Sequence, residues 1–124
     1  MNIQVKEIAF VFHPVSDIAR ARDFYGKLLG LKIDLELEFA PGVWWIEYDI
    51  AGVALAVSNF FPATGGGGAG LALEVVNLDE TLAAIKAANV PITLEPQDFP
   101  PCRLFSITSP DGHNITFHQR KATS

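Results

Sequence analysis

Between Val15 and Leu31, apolar residues fall at Ile18, Ala21, Tyr25, Leu28 and Leu29, with Arg20, Asp23 and Lys27 set between them. That spacing is one stripe of a helix. Asp17 stands where a carboxylate can accept an orphan backbone N–H, and Gly30 where the chain can turn left-handed and stop. A helix with one apolar stripe needs a sheet to cover, and its flanks read as strands. Glu7 to His13 is almost continuously apolar and predicts a strand buried on both faces, ended by Pro14. Lys32 to Phe39 alternates, with Ile33, Leu35, Leu37 and Phe39 against Lys32, Asp34, Glu36 and Glu38. This is the pattern of a half-buried strand whose acidic outer face discourages edge pairing. Val43 to Ile50 and Val53 to Ser58 read as two more strands, joined by a tight turn at Ala51-Gly52.

The second half repeats this order. Leu71 to Val75 is a strand, and Asn77-Leu78-Asp79-Glu80 has the form of a capping box. Leu78, Leu82, Ile85 and Ala88 make the helical stripe, which Asn89 can end. Pro91 to Glu95, Arg103 to Thr108 and Asn114 to His118 are strands. Pro96 to Pro101 is a loop between the first two, and Ser109-Pro110-Asp111-Gly112 a turn between the last two. The halves align at a shift of 60 positions: Asp17 meets Asn77, Ile18 meets Leu78 and Tyr25 meets Ile85. Two copies of one βαβββ unit are expected. The glycine run Gly65 to Gly68 precedes a strand rather than a helix and lacks a following Lys-Ser/Thr, so it reads as a connector, not a phosphate loop.

Composition narrows the classes. A chain of 124 residues is expected to be one domain, with module 1 at about 6–60, a connector at 61–69 and module 2 at about 70–120. A hydrophobic share of 49% against 19% charged residues excludes a disordered chain. A net charge of −5 argues against nucleic acid as a partner. The lone Cys102 excludes an internal disulfide and fits a reducing compartment. No secretory leader or spanning apolar run is recognisable, so the expected location is cytoplasmic, with no membrane partner.

Val15-Ser16-Asp17, Asp23-Phe24-Tyr25 and Leu28-Leu29-Gly30-Leu31, together with Ser109-Pro110-Asp111-Gly112-His113, resemble the two module signatures of the glyoxalase / bleomycin resistance protein / extradiol dioxygenase group, the vicinal oxygen chelate superfamily. The resemblance implies an α+β fold. Two βαβββ modules would form a curved mixed sheet with a concave cavity, and the helices would lie on its convex side. It also implies a homodimer. Enzymes of this group usually hold a divalent metal through His or Glu on the first and last strands of both modules. Here those positions are Phe10, Ala56, Gly70 and Thr116, which include none of the usual ligands. A register slip of two would bring in His118 alone. The expectation is therefore no metal and no cofactor.

Strand parity marks a face with room on it. Ala54 and Ala56 oppose Val53, Leu55 and Val57; Gly70, Ala72 and Glu74 oppose Leu71, Leu73 and Val75; Asn114, Thr116 and His118 oppose Ile115 and Phe117. Small and polar groups on one face describe a pocket; the competing reading is close packing of the two modules. On that face His118 and Glu74 are candidates for acid–base work, against a surface histidine and a solvated strand end. Trp45 and Glu47 share a parity, and an aromatic wall beside a carboxylate suits a flat or cationic guest. Phe10 and Phe12 add apolar lining. Cys102 reads as a buried filler, or as a thiol that Arg103 activates. His13 falls on the helix side and reads as structural, and His113 as an exposed turn residue.

The expected function is binding of a small organic molecule in the cavity without the family metal. One alternative is a glyoxalase-like lyase or isomerase, with a displaced metal or with His118 and Glu74 as a metal-free acid–base pair. The other is a scaffold or regulator with no small ligand.

Overall fold

The computed structural model describes residues 4, 6–60, 70–100 and 102–121. The expected connector at 61–69 lies outside them. The chain divides into two compact units, Met1–Ala63 and Thr64–Ser124, each an α+β unit with one four-stranded mixed sheet.

In the first unit β1 (Val11–Pro14) leads to α1 (Ile18–Ala21), which runs into a π-helical stretch, Arg22–Leu28. Then come β2 (Lys32–Ala40), β3 (Val43–Ile50) and β4 (Val53–Ser58). The sheet order is β1-β4-β3-β2; β1 pairs β4 in parallel and the other pairs are antiparallel. Asp17 caps α1 by accepting the Arg20 N–H at 3.0 Å, and Gly30 ends the helical region at φ +69°. Ala51 and Gly52, with φ of 50° and 91°, make the hairpin turn that the sequence predicts between β3 and β4. The core lies between helix and sheet: Ala21, Phe24 and Tyr25 from above, Ile46, Tyr48, Leu55 and Val57 from below, all buried.

Three expectations change in this unit. The helix is α-helical only in its first turn. The Leu29 N–H then reaches back to the Phe24 carbonyl at 3.0 Å, five residues away. An α-helix would carry Phe24 and Tyr25 about 100° apart; the wider turn buries both. β1 is shorter than Glu7 to His13 and is not buried on both faces: it is an edge strand paired only to β4, and Ile8 and Phe10 are exposed. The alternation of β2 is broken by an irregularity at Asp34, so Ile33 pairs Tyr48 while Leu35 pairs Glu47, on opposite faces.

In the second unit β5 (Leu71–Glu74) is followed by α2 (Leu78–Ala87), β6 (Ile92–Asp98), β7 (Cys102–Thr108) and β8 (Asn114–Arg120). The sheet order is β5-β8-β7-β6, with β5 parallel to β8. Asn77 caps α2 through the Glu80 N–H at 3.0 Å, and Gln119 of β8 accepts the Leu78 N–H at 2.6 Å. The two helix starts thus match at the repeat distance. Leu78 and Ile85 pack over buried Phe105, Ile107, Ile115 and Phe117. β6 continues through Pro96, where a loop was expected. It is an edge strand, and Pro96 sits in a register irregularity between Leu94 and Gln97, where no ladder N–H is required.

Candidate functional site

Register sorts the first unit's side chains into two faces, since paired residues point the same way and parity alternates along a strand. Toward the helix lie His13, Leu55, Val57, Ile46 and Tyr48. His13 Nδ1 meets the Tyr25 hydroxyl at 2.7 Å, which gives it the structural place its parity implied. Trp44 also faces this way, with the Arg22 guanidinium 5.1 Å from its ring and paired to Glu36.

The opposite face carries Phe12, Ala56, Glu47 and Leu35 in one register row, with Trp45 and Leu37 beside them. Phe12 stacks on Trp45 at 5.3 Å with the rings 12° from parallel, and Phe10 meets the same indole edge-on at 5.4 Å. The Trp45 Nε1–H donates to Glu47 Oε2 at 2.8 Å. Phe10, Phe12, Trp45 and Glu47 therefore form one cluster: an aromatic wall with a carboxylate fixed at its edge. Phe10 is 45% exposed, and Ala56 beneath is fully buried.

In the second unit the face away from α2 carries Ala72 and Glu74 from β5, Thr116 and His118 from β8, and Cys102, Leu104 and Ser106 from β7. His118 Nδ1 lies 2.5 Å from Glu74 Oε1, and Glu74 Oε2 accepts the Arg120 backbone N–H at 2.8 Å. The Arg120 N–H first, and His118 second, hold the Glu74 carboxyl below its ordinary range. Thr116 Oγ1 shares a hydrogen bond with Ser106 Oγ at 2.8 Å and accepts the Asn114 amide at 3.2 Å. Asn114 fills the space beside Gly70: a Cβ there would stand 2.9 Å from its Nδ2. Ser106 and Arg120 were not named from the sequence, although strand parity places Arg120 with Asn114, Thr116 and His118.

Two sequence readings change. Arg103 does not activate Cys102. The two residues point to opposite faces of β7, and the guanidinium bonds Asp79 of α2 at 2.9 Å. Asp79 is held low by that hydrogen bond. His113 is buried rather than exposed. Its backbone N–H donates to Ser109 Oγ at 3.0 Å and its carbonyl accepts the Ser109 N–H at 2.8 Å, which closes the turn.

The sequence matches the Glyoxalase/Bleomycin resistance protein/Dioxygenase superfamily over residues 7–117. The chain belongs to this superfamily. Solved structures agree on the fold. TnmS3, an antibiotic binding protein from Streptomyces sp. CB03234, is 22% identical with TM-score 0.75, covering 97% of this chain and 100% of its own. A glyoxalase/bleomycin resistance protein from the same organism is 24% identical with TM-score 0.70, covering 91% and 100%. The fosfomycin resistance protein FosX from Listeria monocytogenes is 15% identical with TM-score 0.76, covering 94% of each chain. No curated protein matches the sequence.

The metal positions implied by the family can be tested against the donors present. Phe10 and Ala56 offer none, and Gly70 has no side chain. Thr116 offers a neutral hydroxyl already engaged by Ser106 and Asn114. Among the described residues no three His, Cys, Asp or Glu side chains gather at one point. This donor set does not fit a divalent transition metal, which takes three or four N, S or carboxylate ligands.

Proposed function

We propose that the protein binds a flat, positively charged small organic molecule, and does so without a metal. The observation that carries this reading is the Phe12–Trp45 stack with Glu47 fixed at its edge. Aromatic faces attract flat rings and cations, and a carboxylate beside them adds charge complementarity. The net charge of −5 draws a cationic guest further. Structural neighbours that include an antibiotic binding protein and a fosfomycin resistance protein support a drug-sized organic guest. The donor chemistry at the four family metal positions supports metal-free binding.

A planar organic cation such as ethidium tests this. Titration is expected to quench indole emission and to raise the melting temperature. Trp45→Leu should weaken binding about two- to tenfold, the loss of a contact worth roughly 0.5–1.5 kcal/mol. Glu47→Gln should weaken the cation but not a neutral planar analogue. Equal affinity in both variants and the parent would overturn the reading.

The same reading assigns the protein to a reducing cytoplasm, in keeping with a single free thiol. No helix among the described residues is long and apolar enough to cross a membrane. It also makes the protein a homodimer. All nine residues of β2 are exposed, among them Ile33, Leu35, Leu37 and Phe39.

A further inference from the structure

We propose that the Glu74–His118 pair of the second unit is a proton-accepting site for a ligand with an acidic hydroxyl, a phenol or an enol. This goes beyond the cation-binding reading and uses different residues. The geometry begins at Glu74. Its Oε2 is occupied by the Arg120 N–H at 2.8 Å, which fixes the carboxylate. Its Oε1 meets His118 Nδ1 at 2.5 Å. A carboxylate accepts and cannot donate, so His118 Nδ1 carries a proton, and in the neutral ring the lone pair is then on Nε2. A ring held this way by its other nitrogen is oriented for proton transfer, as in any base whose tautomer is set by a neighbouring carboxylate. The site can be reached, since the side chains of His118 and Glu74 are 26% and 49% exposed.

The surroundings choose the ligand class. The charged and titratable groups that register places on this face are Glu74 of β5, Arg120 of β8 and Cys102 of β7; β6 contributes the neutral Gln97. Leu104 lies beside His118 in the register, and Thr116 two residues along β8 has its hydroxyl paired to Ser106. A preformed anion would meet the Glu74 carboxylate. A neutral hydroxyl would not, and it can hand over its proton after docking. In that step the ligand O–H bond breaks, the Nε2–H bond forms, and the oxygen keeps the electron pair. The product is a phenolate or enolate beside an imidazolium that Glu74 stabilises. A single imidazole nitrogen is too little to hold a metal against water.

The probe is 4-nitrophenol, whose ionised form absorbs in the visible, with 4-nitroanisole as the analogue lacking the hydroxyl. Neither is a cation, so their outcome is independent of the ethidium experiment. At a pH below the dye's own ionisation, saturating protein is expected to produce the phenolate band. His118→Gln should abolish that band. Glu74→Gln, which keeps the shape but removes the charge and leaves one acceptor oxygen for the two N–H groups that Glu74 serves, should lower the bound phenolate-to-phenol ratio about tenfold, the equivalent of one pKa unit. Should His118→Gln fail to fold, His118→Asn carries the same expectation of a lost band. Absence of 4-nitrophenol binding at millimolar concentration, equal binding of 4-nitroanisole, or a phenolate band that survives in folded His118→Gln would each overturn the proposal.

Discussion

Tyr25 and Tyr48 lie in one core with their rings 5.8 Å apart, yet their hydroxyls differ in kind. The Tyr25 hydroxyl bonds buried His13, whereas that of Tyr48 meets no hydrogen-bond partner among the described residues. Burial, the largest influence, raises the Tyr48 phenol above its ordinary value, with Arg22 opposing and Glu36 adding to it. Leaving a buried polar group unpaired costs roughly 1–3 kcal/mol. Tyr48→Phe is therefore expected to leave stability unchanged or raise it by about 1 kcal/mol in chemical denaturation, within that range. Tyr25→Phe should lower it by about 1–3 kcal/mol, because it removes a buried hydrogen bond to His13 Nδ1. The reverse order of the two midpoints would refute this account. Such pairings are only half legible from sequence. Parity put His13 on the helix side and joined Trp45 to Glu47, and Glu74 to His118, as face-mates. It could not show that Glu74 also takes the Arg120 N–H, because that bond depends on β8 running two residues past the expected end at His118.

The helix starts were legible because capping is local chemistry. Asp17 and Asn77 each precede an apolar stripe, and each accepts the N–H three residues on. Asn77→Ala should lower stability by about 1 kcal/mol, in the usual range for a lost cap. An unchanged denaturation midpoint would show that Gln119, which also bonds the first turn, suffices alone. The course of the first helix beyond its opening turn was not legible. The π-helical turn arises because Phe24 and Tyr25 both find places in the core, a tertiary demand that no spacing rule contains. The same holds for β2. Its strict alternation is real in the sequence, but the irregularity at Asp34 turns Ile33 toward the helix side and lets Glu36 reach Arg22. Pro96 misled for the opposite reason: proline is excluded from central strands, and the sequence does not reveal that β6 lies at an edge.

At the scale of the whole molecule, the internal repeat was the most informative feature, since it gave the element order βαβββ in both halves, while the strand order within each sheet came only from the structure. The proposed homodimer gives the exposed apolar surface of β2 a role. Light scattering is expected to give twice the chain mass of 13.5 kDa, and Leu35→Lys with Leu37→Lys should return it to the monomer value. A monomer in the unmodified protein at high micromolar concentration would refute the homodimer. The two register breaks in β2, at Asp34 and near Phe39, bear on more than stoichiometry. A straight apolar edge would be a template that every new chain could extend, which is how amyloid grows. An edge bent twice in nine residues, with Lys32, Asp34, Glu36 and Glu38 among them, cannot propagate in register. Concentrated stocks should therefore stay clear and show no thioflavin-positive fibrils on standing, even though the single chain exposes four large apolar side chains on β2.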